Sequence, residues 1–150
     1  MELYKKVMFN DDDNIKGFFE DYRFLSNFTL GNVVFEGIEY PSSENAYQSA
    51  KTTDIDIRGN FVNITPSESK KLGRTLEVRS DWESVKYNIM YQICLDKFTR
   101  NPDLGDKLLA TGDKYLEETN YWKDVVWGVC DGVGTNWLGK ILMDIRSQLK

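Results

Sequence analysis

The stretch that decides the fold is YPSSENAYQSAK, residues 40–51. A serine oxygen can accept a hydrogen bond from the free backbone N–H groups of a first helical turn, so the segment predicts a helix that begins after its proline and serines. This helix is expected to carry Glu44, Tyr47, Gln48 and Lys51. Glu44 and Gln48 are four residues apart, which places them on one face, with Lys51 one turn further on.

Upstream of this helix, two short segments have the composition of strands. Residues 15–19 and 33–40 are rich in β-branched and aromatic side chains and are flanked by Gly and Asn. Such segments favour extended backbone. A short antiparallel pair is therefore predicted within the first forty residues.

Capping patterns predict the helices downstream. Thr65-Pro66-Ser67-Glu68 is a capping box with proline at the first helical position, and its helix is expected to end near Gly73. Ser80-Asp81-Trp82-Glu83 has the pattern of a second capping box. It opens the longest segment with helical periodicity, whose apolar positions are Trp82, Val85, Ile89, Ile93 and Phe98.

The last third of the chain continues the same alternation. Asn101-Pro102 predicts the start of another helix, which Gly112 stops, and residues 115–117 are expected to be extended. Asn136 is expected to cap a final helix with a clean apolar stripe. These elements predict a helix-rich α+β fold with a small antiparallel β element, in a single domain that spans residues 1–150.

Composition narrows the chemistry. The chain has 150 residues, a formal net charge of -5, no histidine, and two cysteines, Cys94 and Cys130. Ser-His and Cys-His nucleophiles are excluded, and an ordinary zinc site lacks its ligands. Any acid–base work falls to Asp, Glu, Lys or Tyr, and we expect neither a metal nor a cofactor. The acidic balance also argues against a broad nucleic-acid surface.

The sequence gives no sign of a membrane or secretory segment. No apolar run approaches the length of a membrane span, and the N-terminal residues lack the apolar core of a signal peptide. We therefore expect a cytoplasmic protein with no membrane association. No obligate protein partner is evident either.

Three segments hold more polar and glycine residues than packing requires. They are FLSNF at 24–28, the helix segment at 40–51, and DVVWG at 124–128 with its continuation to Gly139. Together with WESVK at 82–86, KF at 97–98, NPDL at 101–104 and LLATG at 108–112, they resemble the YbiA-like, or NADAR, family of N-glycosidases. The resemblance runs from about Ile15 to the end of the chain.

The resemblance implies a YbiA-like fold and cleavage of an N-glycosidic bond. Described family substrates are riboflavin-pathway intermediates, in which ribose 5-phosphate is joined to an amino-pyrimidine, and ADP-ribose attached to guanine. The expected substrate is thus a small phosphorylated ribosyl compound. The resemblance implies that Glu44 is the essential carboxylate and places Trp82, Asp124 and Trp127 in its pocket. It also implies polar roles for Asn27, Lys51 and Asn136.

The residue types suit this chemistry. Departure of a base from C1′ leaves an oxocarbenium-like sugar, which a nearby carboxylate stabilises. Our hypothesis is that Glu44 is ionised and faces C1′, while Asp124 orients water or assists the leaving group. The helix N-terminus favours ionised Glu44, whereas apolar burial opposes it, and the sequence leaves that balance open.

Other residues are candidates for binding the substrate. Trp82, Trp127 or Tyr47 can stack on a heterocyclic base. Gly128 and neighbouring glycines allow backbone N–H groups to approach phosphate or sugar. Lys51, Arg58 and Arg79, in that order, are candidates for the phosphate, and a cationic rim of Arg23, Arg58, Arg74 and Arg79 is a further alternative.

Each assignment has a structural alternative. Glu44 can be a first-turn helix acid, Trp82 a core anchor, Asp124 a loop cap and Asn136 a helix cap. The functional alternatives are an ADP-ribosyl hydrolase acting on modified guanine, and a module that binds ADP-ribose or NAD without turnover. Intact Glu44 and Asp124 argue against the last, because a pure binding module needs no carboxylate at C1′.

Overall fold

A computed structural model of the chain describes residues 2–150. It contains two compact units, one of residues 2–26 with Asp103–Lys150 and the other of Asn27–Pro102. Helices predominate and the strands are short, which confirms the predicted helix-rich α+β class. The assignment of residues 1–150 to a single domain stays a prediction.

The elements follow one another with short connections. In chain order they are α1 (Tyr4–Val7), β1 (Phe9–Asn10), β2 (Asn14–Lys16), a 3-10 helix (Glu20–Leu25), β3 (Leu30–Phe35), β4 (Ile38–Ser42), α2 (Ser43–Ser49), α3 (Ile55–Gly59), α4 (Pro66–Gly73), α5 (Trp82–Arg100), α6 (Pro102–Ala110), β5 (Tyr115–Glu117), β6 (Thr119–Asn120), β7 (Val129–Cys130) and α7 (Trp137–Leu149). None of the described helices is both long and apolar enough to cross a bilayer.

Antiparallel pairing is present in this region, but residues 33–40 are not a single strand. Instead β3 and β4 pair with each other as an antiparallel hairpin. The chain reverses at Glu36 and Gly37, which both have positive φ (47° and 84°). Two consecutive positive φ values are the mark of a two-residue hairpin turn, and Gly adopts them without strain. The turn signal inside residues 33–40 was therefore missed.

The hairpin leads directly into α2, the helix predicted from the serine cap. The Ser42 hydroxyl accepts a hydrogen bond from the Asn45 backbone N–H at 3.1 Å, which confirms the cap. The helix ends at Ser49. The prediction that Lys51 lies one turn further along the helix is therefore wrong, because Lys51 lies beyond its end. All seven residues of α2 are buried. A fully buried helix needs packing on every side, and α4, α5, β3 and β4 supply it.

The capping predictions for the helices that pack on α2 have different outcomes. The box at Thr65 and Glu68 is present in α4, which ends at Gly73 as predicted. The box predicted at Ser80 is absent, because α5 begins one residue later with Asp81 at its N-cap, without a side-chain cap. The Asp81 carboxylate is instead bound by Arg79, at 2.6 and 3.0 Å.

The other unit is built around a three-stranded sheet in the order β1-β2-β5. β1 and β2 are antiparallel, whereas β2 and β5 are parallel. The helix α7 packs on β5 through its apolar stripe, which includes the fully buried Ile141, Leu142 and Ile145. The parallel strands β6 and β7 pair beside the loop that contains Asp124 and Trp127.

Candidate functional site

Glu44 lies in the first turn of α2 and is 7% exposed. Its backbone N–H donates to the Asn27 carbonyl oxygen at 3.0 Å, which ties the helix start to the preceding loop. The Gln48 side-chain amide donates to Glu44 Oε1 at 2.9 Å, so the four-residue spacing places the two side chains in contact, as predicted. A hydrogen bond donated to a carboxylate favours its ionised form and fixes its orientation.

Asn27, in the loop that precedes β3, supports the start of α2 through its contacts with α5. It is buried, and its amide Nδ2 donates to the Met90 sulfur at 3.4 Å, while its Oδ1 lies 3.9 Å from the Cys94 sulfur. Both sulfurs belong to α5. The Asn27 side chain is therefore held by the helix packed beneath it, while its backbone oxygen holds the start of α2. This geometry favours a supporting role for Asn27 over direct contact with a ligand.

Tyr47 and Trp82 form an aromatic pair in the same unit. Their ring centroids are 5.1 Å apart with an interplanar angle of 50°. Tyr47 follows Glu44 by three residues, so it lies on the adjoining surface of α2. The two residues are 7% and 8% exposed, so most of each ring is used in packing.

Lys51 interacts electrostatically with Glu44 and with two further cations, Lys70 and Arg74. Burial lowers the pKa of the Lys51 ammonium below its usual range; the charge of Glu44 opposes this shift, and the charges of Arg74 and Lys70 add to it. Lys70 and Arg74 are four residues apart at the end of α4, so they extend along one side of it. Lys70 was not among the predicted site residues, and Arg74 was predicted only as part of a wider cationic rim.

The packing of α4 on α2 explains why Lys70 and Arg74 lie close to Lys51. The Ser69 hydroxyl donates to the Glu44 carbonyl oxygen at 3.4 Å, and Gly73 lies directly against the Gln48 side chain. Small residues at 69 and 73 thus bring α4 close to α2, and each is followed by a cation. An alternation of small and basic residues in a short helix is the sequence signal for this arrangement.

Two residues proposed for the phosphate are engaged elsewhere. Arg58 is 5% exposed, donates to the Thr52 carbonyl oxygen at 2.8 Å and forms an ion pair with Glu36 at 3.1 Å. Arg79 is held by Asp81 in a two-point ion pair. Arginines whose donors already bind carboxylates or carbonyls are poor phosphate ligands. Of the three ranked candidates, Lys51 therefore stays the predicted phosphate ligand.

Asp124 lies in the other unit and organises its own loop. One carboxylate oxygen accepts hydrogen bonds from the backbone N–H groups of Val126 at 3.1 Å and Trp127 at 2.9 Å. The Asn120 side chain binds both the backbone N–H and the carbonyl oxygen of Asp124. This is the loop-capping arrangement that the sequence left open as an alternative. A catalytic role for Asp124 stays a prediction.

Trp127 is half-buried and packs edge-on against Trp137, with ring centroids 5.5 Å apart and an interplanar angle of 76°. The Trp127 carbonyl oxygen accepts the Leu138 N–H at 3.0 Å. Trp137, the first residue of α7, was left uninterpreted in the sequence. It is thus the packing partner that fixes Trp127. Gly128, which follows, is required for space, because a Cβ there would overlap Glu118 and lie 2.7 Å from Asn120 Nδ2.

Asn136 is the N-cap residue of α7, as predicted, but its side chain makes no capping hydrogen bond with that helix. Its backbone is left-handed, with φ 53° and ψ 42°, which directs the side chain away from the first turn. Its Oδ1 accepts from the Glu118 N–H at 3.0 Å and its Nδ2 donates to the Leu116 carbonyl oxygen at 2.9 Å. Asn136 therefore fastens the segment after β5 to the start of α7.

The predicted site residues thus fall into two groups, each assembled within its own unit. One unit brings together Asn27, Glu44, Tyr47, Lys51 and Trp82, and the other brings together Asp124, Trp127, Gly128 and Asn136. The first group holds the buried carboxylate of Glu44 and Lys51, whose charge interacts with it. The second group is a loop whose shape is set by its own hydrogen bonds.

Known proteins with the same pattern are similar along most of this chain. N-glycosidase YbiA of Escherichia coli is 34% identical over 135 residues, which covers 87% of this chain and 83% of that protein. An N-glycosidase of Nostoc punctiforme is 33% identical over 138 residues and is covered to 88%. The solved structure of Escherichia coli YbiA superposes with a TM-score of 0.82 at 31% identity, covering 97% of this chain and 90% of that one.

Other relatives are much longer. A riboflavin biosynthesis protein of Vibrio vulnificus is 36% identical over 135 residues, and a chloroplastic riboflavin biosynthesis protein of Zea mays is 33% identical over 124 residues. The chain spans only 36% and 20% of their lengths. The NADAR domain model matches residues 8–150. The resemblance drawn from the quoted motifs is thereby confirmed, and the chain belongs to the NADAR domain family.

Proposed function

We propose that this chain is an N-glycosidase that hydrolyses the bond between ribose 5-phosphate and an amino-pyrimidine. The observation that carries the proposal is the setting of Glu44, a buried carboxylate that accepts a hydrogen bond from Gln48 and interacts electrostatically with Lys51. Relatives of similar length are named N-glycosidases, and two longer ones are named riboflavin biosynthesis proteins. The names support the reaction class and the pathway of the substrate.

The reaction breaks the C1′–N bond and forms a C1′–O bond to water. The bonding electron pair leaves with the base nitrogen, which takes up a proton, and water loses one. An ionised Glu44 facing C1′ stabilises the positive charge that develops on the sugar. One preorganised group of this kind contributes about 3 kcal/mol to transition-state stabilisation. The hydrogen bond from Gln48 keeps the carboxylate in the form and orientation that this role requires.

Asp124 is proposed to orient water or to assist the leaving group. One of its oxygens serves the loop N–H groups of Val126 and Trp127. A carboxylate held by two such donors is rigid, which suits a residue that positions water. Tyr47, Trp82 or Trp127 is proposed to stack on the base; stacking on an aromatic ring contributes about 1–3 kcal/mol per base.

The remaining site residues are proposed to shape the pocket and bind the phosphate. Gly128 and Asn136 set the course of the loop that carries Asp124 and Trp127, and Asn27 supports Glu44. Lys51 is proposed to bind the phosphate, and Lys70 and Arg74 extend the positive surface around it. Ammonium and guanidinium groups are the ordinary partners of a phosphate.

The deciding experiment measures release of ribose 5-phosphate from the ribosylamino-pyrimidine phosphate by wild type, Glu44→Gln and Glu39→Gln. Glu39 is exposed on β4 and provides a matched Glu→Gln control. We expect release by wild type and by Glu39→Gln, and loss of at least about a hundredfold in Glu44→Gln with an unchanged circular dichroism spectrum.

The alternatives have distinct outcomes in the same assay. If folded wild type leaves the pyrimidine compound intact but releases ADP-ribose from modified guanine, the substrate assignment is wrong and the reaction class stands. Equal release by wild type and Glu44→Gln would remove Glu44 from the mechanism. Tight binding of ADP-ribose or NAD without any turnover would make the chain a binding module.

A further inference from the structure

The Gln48 side chain is held in an unusual way. It is 6% exposed, and its Nε2 donates to Glu44 Oε1 at 2.9 Å. Its own Oε1 is buried and accepts no hydrogen bond from any of residues 2–150. A buried amide normally satisfies both ends, so an amide with one satisfied end needs another reason for its position.

The orientation of the amide follows from chemistry. If the amide were reversed, Oε1 would face the Glu44 carboxylate, and two acceptors would repel each other. Only the arrangement with Nε2 towards Glu44 makes a bond. The Gln48 amide therefore leaves its Oε1 without a hydrogen bond, while its Nε2 donates to the Glu44 carboxylate.

Gly73, the last residue of α4, holds the other side of Gln48. A Cβ built there would overlap Gln48 Oε1 and lie 2.8 Å from Cδ and 3.2 Å from Cβ of that side chain. Gly73 does not have a positive φ, so its backbone does not require glycine. Alanine has a higher helix propensity than glycine, so helix formation does not explain the glycine either. The remaining explanation is that Gly73 leaves space for the Gln48 side chain.

We propose that Gln48 is the positioning residue for Glu44, and that Gly73 is required because it leaves the space in which Gln48 keeps its donor on that carboxylate. The inference rests on the proposed function for its catalytic consequence. It goes beyond that function because it assigns a residue of α4 to the orientation of the catalytic group. The two contacts act in series: α4 fixes Gln48, and Gln48 fixes Glu44.

The test uses five variants of the full chain. Gln48→Met keeps the length of the side chain and removes the donor. Gly73→Ala leaves Gln48 intact and fills its space. Gly59→Ala is the matched control, because Gly59 also lies in a helix, has no positive φ, and has nothing within 4 Å of its built Cβ. The double variant Gly73→Ala, Gln48→Ala returns the space that the new methyl group needs, and it is compared with Gln48→Ala alone.

We expect Gln48→Met and Gly73→Ala each to lower kcat about ten- to a hundredfold with a smaller change in KM, the size of a lost hydrogen bond to a charged group. The acid limb of the pH–rate profile should move to higher pH in both, because the donor that favours the ionised carboxylate is lost. Gly59→Ala should match wild type. Adding Gly73→Ala to Gln48→Ala should cost nothing further.

A second readout does not depend on turnover. The Glu44 carboxyl carbon is followed by NMR as pH changes, with Glu44→Gln used to assign the signal. Its titration midpoint should rise in Gln48→Met and Gly73→Ala but not in Gly59→Ala. If the midpoint stays unchanged in Gln48→Met, or if Gly73→Ala slows the reaction equally with and without Gln48, the proposal is overturned. If wild type has no glycosidase activity, the proposed function fails and the titration alone decides the role of Gln48.

Discussion

Lys97 is a buried lysine in α5, and its removal should change how stability depends on pH. It is 1% exposed, and its ammonium lies 4.8 Å from the centroid of the Phe98 ring. Burial lowers the pKa of Lys97 from 10.5 to about 8, which the Cys94 side chain opposes slightly. The folded state therefore binds the Lys97 proton less tightly than the unfolded state does.

The magnitude follows from the two pKa values. The difference between 10.5 and about 8 corresponds to about 3 kcal/mol at roughly 1.36 kcal/mol per pH unit. Below pH 8 both states carry the proton and the folded state bears the full penalty. Between pH 8 and 10.5 only the unfolded state keeps the proton, so stability from this group rises with pH. Above 10.5 the penalty is gone.

The assay is urea unfolding of wild type and Lys97→Met at about pH 7, 8, 9 and 10. We expect the free energy of unfolding of Lys97→Met relative to wild type to fall by about 2–3 kcal/mol from the lowest to the highest pH. Methionine also packs differently from lysine, but this effect does not depend on pH. It changes the difference in unfolding free energy between Lys97→Met and wild type by a constant, and not the dependence of that difference on pH. Lys71→Met, on the exposed side of α4, provides the control and should show no such slope. A constant difference between Lys97→Met and wild type across this range would refute the reasoning.

Three further outcomes are expected. Lys70→Met and Arg74→Met should each raise KM for the phosphorylated substrate about three- to tenfold with kcat little changed, and added salt should reduce the effect; steady-state kinetics at two salt concentrations test this. Asn136→Ala should lower the free energy of unfolding by about 2–4 kcal/mol, because it removes two buried hydrogen bonds and the residue has a left-handed backbone; urea unfolding tests this. Gly128→Ala should lower the melting temperature by at least about 5 °C, because its Cβ overlaps Glu118; a thermal melt followed by circular dichroism tests this.

The local parts of the site could be predicted from the sequence. Ser42 as a cap, Glu44 in the first turn and Gln48 four residues later depend only on the geometry of one helix. The capping box of α4 is equally local. Predictions failed where a neighbouring residue competed for the same group. The capping box expected at Ser80 is absent because α5 begins one residue later, with Asp81 at its N-cap and the Asp81 carboxylate bound by Arg79. The strand expected at residues 33–40 was divided by its own turn.

The roles of Asn27 and Gly73 depend on contacts between distant segments, which no local pattern encodes. Asn27 meets Met90, 63 residues away, and Gly73 meets Gln48 in a different helix. The resemblance marked Asn27 as polar and important, but only the packed structure shows its side chain bound to the sulfurs of α5. Gly73 was interpreted as a helix end, which it is, yet its lack of a side chain serves Gln48.

These two contacts have a common consequence for Glu44. Its backbone is fixed by Asn27, which α5 supports, and its carboxylate is fixed by Gln48, which α4 supports. The orientation of the Glu44 carboxylate therefore depends on contacts from α4 and α5, although neither helix contributes a carboxylate to this arrangement. A buried charged group gains most from such rigid donors, because they need no reorganisation when charge develops opposite it. Substitutions in α4 or α5 that preserve the fold but loosen either contact should lower kcat more than they lower stability.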